Sequence, residues 1–157
     1  MAQENVDTFR RGVEAYNRRD VEALIADADP GIEWHPAILV RLGGKSTVYR
    51  GHDGLRELLI DTDDTVAEIH VEFPEVRDLG DRVLGLGRIR TRGRASGIVT
   101  EAPLGCLADF RDEKLTRVQT YLDPREALEA AGLSESRATH LLPQMRTPRW
   151  GTGRSRY

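Results

Sequence analysis

From residue 66 to residue 122 strand signals dominate the chain, and this stretch limits what it can fold into more than any other. In "AEIHVEF", Ala67, Ile69, Val71 and Phe73 alternate with Glu68, His70 and Glu72. A period of two sends successive side chains to opposite faces of a strand, so one face is apolar and the other charged. Turn signals then recur: "LGD" leads into "RVLGLGRIRTRGR", "ASG" into "IVTEAPLGCLADF", and "RDEK" into "LTRVQTYLD". Long strands joined by hairpin-length turns pair antiparallel. A sheet with one apolar face needs a cover for it, and the flanking helices supply one.

Those helices are legible from spacing and caps. Val6, Phe9, Val13 and Tyr16 recur every three or four residues, which predicts an amphipathic helix over residues 3–18. Asp20 is placed to cap a short second helix with Val21, Leu24, Ile25 and Ala28 inward, and "ADPG" stops it. "IEWHP" reads as a short strand whose proline forces His35 into an extended conformation. Residues 37–50, with Gly43 and Gly44, read as a loop with at most a brief strand. "GHDGLRELLID" is a third helix with Leu55, Leu58 and Leu59 buried. In the last helix Asp123 caps, Pro124 takes the first helical position, Glu126 completes a capping-box pattern and Gly132 stops it. Helices and strands that are segregated along the chain argue for an α+β fold. The helices cover a long antiparallel sheet only if the sheet curves around them, which gives a cone-shaped single domain with an open end.

At 157 residues the chain holds one well-packed domain. We assign residues 1–133 to it and residues 134–157 to a flexible basic tail. The tail has Arg137, Arg146, Arg149, Arg154 and Arg156 against the single acid Glu135, a balance of about +4 in a chain whose net charge is −3. That overall charge gives no electrostatic reason to expect nucleic acid as a partner. No apolar run approaches the roughly 20 residues that span a bilayer, and "MAQENVDTFRR" lacks the apolar segment of a signal peptide. Cys106 is the lone cysteine, so no intrachain disulfide forms and a reducing cytoplasm is the expected location.

The stretches "AYNRRDVEALIADADPGIEWHP", "YRGHDGLREL", "RTRGRASG" and "FRDEKLTRVQTYLDPREALEAAGL" together resemble the nuclear-transport-factor-2-like superfamily. Within it they resemble the SnoaL-like group related to polyketide cyclases and ketosteroid isomerases. The resemblance covers about residues 5–133. It implies a cystatin-like α+β barrel, a curved sheet wrapped around three to four N-terminal and C-terminal helices with an apolar pocket inside. It also implies a homodimer through the outer face of the sheet. The superfamily includes isomerases, cyclases, hydrolases, dehydratases and non-catalytic binding domains, so chemistry has to be argued from residues.

In relatives resembling ketosteroid isomerase a carboxylate base precedes the proline that ends the first strand; here that position is His35, which titrates near neutrality. Glu33, two residues earlier and on the same strand face, is the candidate to orient the imidazole, with Tyr16 as a further catalytic candidate. The residues leave two orientations open. Ile32 and Trp34 alternate with this pair, which puts Trp34 in the core and the pair on the solvent face; the resemblance puts the pair in the pocket. The second, protonated acid of those isomerases falls at Cys106, a weak donor that behaves as a small hydrophobe. Trp34, Cys106 and Leu122 are candidates for the pocket wall, and Arg88 or Arg90 for binding an anionic group. The histidines at 52, 70 and 140 have no metal-ligand spacing, and neither metal nor cofactor is expected. Three functions fit: cofactor-free proton transfer on a small apolar or weakly anionic molecule, non-catalytic binding of a small hydrophobic molecule, or dimerisation alone.

Overall fold

The computed structural model describes residues 2–43 and 46–133; the segment 134–157, assigned above to a basic tail, lies outside the described residues. The elements run α1 (Ala2–Arg18), α2 (Val21–Ala26), β1 (Ala28–His35), α3 (Ala37–Arg41), β2 (Tyr49–Arg50), α4 (Gly51–Thr65), β3 (Val66–Asp78), β4 (Arg82–Gly93), β5 (Val99–Arg111), β6 (Lys114–Tyr121) and α5 (Pro124–Ala130). This is the α+β order expected from the sequence, with one curved six-stranded sheet in the order β2-β1-β6-β5-β4-β3. All neighbours pair antiparallel except β1 and β6, which run parallel.

The two faces of the sheet carry separate apolar clusters, and the alternation along β4 shows why. Val83 and Ile89 belong to a main core with Phe9, Tyr16, Leu24, Leu55 and Leu58, residues of α1, α2 and α4. Leu84 and Leu86 point the other way and join Leu107, Ala127 and Leu128 in a second cluster under α5. The last helix is therefore not enclosed with the others; it packs on the outer face. Gly105 permits this, since a Cβ there would come within 2.5 Å of the Ala127 Cβ.

Local polar contacts hold the elements in place. The Asp20 side chain accepts the Ala23 N–H at 3.2 Å, and Asp123 accepts the Arg125 N–H at 2.9 Å, so both expected caps form. Asn17 at the end of α1 acts as a short strand: its amide donates to the Val71 carbonyl and accepts the Val71 N–H, both at 2.9 Å. This satisfies one residue of β3, a strand with only β4 beside it in the sheet.

Two local expectations need correction. The stretch after Pro36 is not simply a loop, because Ala37–Arg41 forms a short helix with Ile38 and Leu39 buried. β1 starts at Ala28, earlier than "ADPG" suggests, and a register shift between Ala28 and Glu33 accommodates Pro30 and Gly31.

Candidate functional site

A cavity lies between the inner face of the sheet and α1. Phe9, Gly12, Val13 and Tyr16 supply one wall; Trp34 and Pro36 come from β1 and its exit; Phe73, Leu104, Cys106, Val118 and Thr120 come from the long strands. The centre of a water-sized sphere can occupy about 70 Å³ of this space. Among the described residues no Asp, Glu, His, Lys or Arg belongs to the lining.

The few polar groups in the wall are already engaged or neutral. Thr120 Oγ1 accepts the Ala37 N–H at 2.7 Å and donates to the His35 carbonyl at 3.2 Å, fixing the turn at Pro36. Thr8 Oγ1 accepts a guanidinium N–H of Arg11 at 3.0 Å. The Tyr16 hydroxyl hydrogen-bonds Thr62, and burial raises its pKa. Thr62 donates its own proton to the Leu58 carbonyl at 2.7 Å and acts against the rise at Tyr16. Burial pushes the Cys106 thiol up to about 12, so it is neutral at physiological pH.

Of the two orientations that the sequence leaves open at β1, the sheet adopts the one set by alternation. Trp34 points inward and stacks on Tyr16, with ring centroids 5.9 Å apart and planes inclined by 18°. Glu33 and His35 are not part of the cavity lining. They do meet each other, His35 Nε2 lying 3.2 Å from Glu33 Oε1. The contact to His35 holds the Glu33 carboxyl below its ordinary pKa, with Arg50 and Arg117 adding to the effect. The structure thus brings Glu33 to His35 and Tyr16 to Trp34, and places the two pairs on opposite faces of β1.

The remaining candidates divide in the same way. Cys106 lines the cavity, whereas Leu122 packs against the main core without reaching it. Arg88 and Arg90 are not in the cavity wall: Arg88 pairs with Glu72, and Arg90 approaches Glu101 at 3.4 Å. The cause is again the period of two, since Ile89 takes the inner face between them. Thr120 and Phe73 belong to the wall without having been singled out from the sequence; the two-residue spacing that puts Thr120 on the same strand face as Val118 was the available signal. Among the described residues no group of three or more His, Cys, Asp or Glu side chains is placed to hold a metal ion. No described helix is long and apolar enough to cross a membrane.

The comparisons with known proteins agree with this architecture. A SnoaL-like domain profile matches residues 9–118. An NTF2-like protein of unknown function from Burkholderia pseudomallei is similar in structure, with a TM-score of 0.68, 23% identity, and coverage of 80% of this chain and 95% of that one. TerC co-crystallised with polyporic acid gives 0.67 at 22% identity, covering 82% and 98%. A protein with a ketosteroid isomerase-like fold from Catenulispora acidiphila, in complex with trimethylamine, gives 0.64 at 16% identity, covering 81% and 93%. No curated protein matches the chain. With the profile spanning most of the described residues and the curved sheet built as its relatives build it, the chain belongs to the SnoaL-like domain family of the NTF2-like superfamily.

Proposed function

We propose that the chain holds a small, uncharged, apolar molecule inside the cone and carries out no acid–base chemistry on it there. The lining carries this reading. A general base has to sit within hydrogen-bond reach of the proton it removes and titrate near the working pH. Among the described residues the cavity offers only hydroxyls and a thiol pushed up to about 12. An anionic ligand would be buried without a counter-charge, because Arg88 and Arg90 are not in the wall, and an unpaired buried charge is costly.

Size narrows the class further. An apolar cavity of roughly 150 Å³ admits benzene, and this one offers about 70 Å³. It suits a molecule of a few heavy atoms, or a larger one if the Tyr16–Trp34 wall gives way. Two similar structures hold small organic molecules, polyporic acid and trimethylamine, which supports treating the cone as a container.

Gly12 provides the test. A glycine inside a helix costs about 1 kcal/mol relative to alanine, yet the only atom near an added Cβ here is Leu24 Cδ2 at 4.0 Å. The position leaves room in the cavity. Under xenon pressure, or with a probe of a few heavy atoms such as trimethylamine in its uncharged form, the methyl signals of Val13, Leu104 and Ala108 should shift saturably. Gly12→Leu should remove that response without lowering the unfolding midpoint. A folded protein whose lining methyls ignore both probes would overturn the proposal.

A second reading keeps the Glu33–His35 pair as an acid–base couple that works outside the cavity, and their 3.2 Å contact favours it. Once a substrate is found, unchanged turnover in His35→Ala would remove that role. The homodimer implied by the family would have to form around Glu33, His35, Arg117 and Gln119, since α5 covers Leu84, Leu86 and Leu107. Sedimentation equilibrium of the wild type against Gln119→Arg would test it.

A further inference from the structure

The cavity has a neighbour. Between α1 and β3 lies an open cleft of about 270 Å³ whose wall shares Phe9, Val13, Val71 and Phe73 with the cavity, so the same side chains border both spaces. The exposed residues Arg10, Glu14 and His70 also line this cleft, which therefore opens to water. Among the described residues β3 is the last strand on this side of the sheet, and α1 lies along it. Two asparagines tie the helix there. Asn5 donates to the Gly80 carbonyl at 3.0 Å, and Asn17 exchanges two hydrogen bonds with Val71. The ties are separated by about 18 Å of helix. Between them sits the ring pair Phe9–Phe73, with centroids 5.5 Å apart and planes inclined by 55°.

Phe73 stands where β3 is least regular. The ladder with β4 shifts register between Glu72 and Glu75, and Phe73 and Pro74 lie inside that shift. Pro74 has no N–H to tie to a neighbour. Gly85 faces the rings from β4: a Cβ there would come within 2.7 Å of Phe9 Cζ and 2.9 Å of Phe73 Cδ1, so the pair rests on bare backbone. Val13 and Phe73 are half-buried, whereas Leu104, Cys106 and Val118 across the cavity are buried. The wall is thus thinnest along this seam. Rings held there by dispersion swing more easily than hydrogen-bonded strands part.

We propose that a small uncharged molecule enters and leaves the cavity through the α1–β3 seam, with the Phe9–Phe73 pair as its door and the Asn17–Val71 hydrogen bonds as the latch. This inference rests on the reading of the cone as a container. The cleft outside is the vestibule, and an ion would have to shed its water to pass between the rings.

The test reads exchange rates on the full chain. Asn17 is not in the cavity wall, so Asn17→Ala should leave the xenon affinity unchanged and raise the rates of entry and exit together, about tenfold for the loss of two hydrogen bonds. Val76 lines the cleft but not the cavity, and Val76→Trp should slow both rates severalfold. Relaxation dispersion of the Leu104 and Ala108 methyls at partial xenon saturation measures them. Methyl methanethiosulfonate, a small uncharged reagent, gives a second readout at Cys106, the lone cysteine, in the cavity wall. At fixed pH its modification should speed up in Asn17→Ala and slow in Val76→Trp. Leu128→Ala, which loses stability in the outer cluster, should change neither rate, and so separates opening of the seam from unfolding of the domain. Equal rates in Asn17→Ala and Leu128→Ala, or rates indifferent to Val76→Trp, would overturn the proposal. Methyls that ignore xenon would instead count against the container reading, and the Cys106 rates would still decide whether the seam opens.

Discussion

The two faces of β1 and its neighbours share a backbone and differ in almost everything else. On the inner face Trp34, Cys106, Val118 and Thr120 border a cavity without an ionisable acid or base that titrates near neutrality. On the outer face the register aligns Arg50 with Glu33, Glu33 with Arg117, Arg117 with Asp109, and Asp109 with Arg82. A row of alternating charge crosses the sheet, and Arg82 donates to Asp109 at 3.2 Å within it. Glu72–Arg88 and Glu68–Arg92 extend the pattern at the far edge. A period of two has sorted the charges from the space. The Glu33–His35 pair and the cavity lie on opposite sides of one sheet, so perturbing one face should leave the other unchanged.

Placing a charge on each face in turn gives the largest expected contrast. Cys106→Asp puts a carboxyl into the dry wall, where burial raises its pKa by up to a few units. A carboxyl whose folded pKa lies above its unfolded value destabilises once the pH exceeds the unfolded value of about 3.9. The variant should lose about 4 kcal/mol at neutral pH and recover most of that loss as the pH falls towards 4. Gln119→Asp on the outer face should stay within about 0.5 kcal/mol of the wild type throughout. Urea unfolding across pH checks both, and a Cys106→Asp protein as stable at pH 7 as at pH 4 would mean that the cavity is wet.

Next in size is the outer cluster itself. Leu128 is fully buried under α5, and Leu128→Ala should cost about 3 kcal/mol. The xenon response of the inner methyls should persist, because Leu128 packs in the second cluster and not in the cavity. Loss of that response would show that the two clusters form one cooperative core.

How much of this was legible in the sequence follows from what is local. The long strands from β3 to β6, the caps at Asp20 and Asp123, and the α1 stripe depend on neighbours a few residues away, and all form as read. The alternation of Ile32 and Trp34 with Glu33 and His35 already set the inward residue; the resemblance argued for the opposite orientation, and the backbone follows the local pattern. The parallel pairing of β1 with β6 was not legible, because it joins segments about eighty residues apart. Nor was the outer position of α5: a helix with Ala127 and Leu128 buried could cover either face, and only the glycine at 105 opposite Ala127 hints at which. The double hydrogen bond of Asn17 to Val71 escaped for the same reason, since an asparagine late in a helix has many bland uses.

The smallest effect bears most directly on whether the faces are independent. His35 first, then Arg50 and Arg117, hold the Glu33 carboxyl below its ordinary pKa. A depressed carboxyl pKa stabilises the fold above the unfolded value of about 4.3, and this contribution is lost as the pH falls through the folded value. Glu33→Gln removes the ionisable group, so a small deficit in unfolding midpoint near pH 6 should close below about pH 4. The side chain is 40% exposed, and solvent screening keeps the deficit small. In the same samples the inner methyls should respond to xenon equally in both proteins at every pH, because the Glu33 side chain is not part of the wall. If the response instead followed the titration of Glu33, the turn at Pro36, held by Thr120 between the two faces, would be transmitting charge to the cavity, and the separation drawn from the period of two would fail.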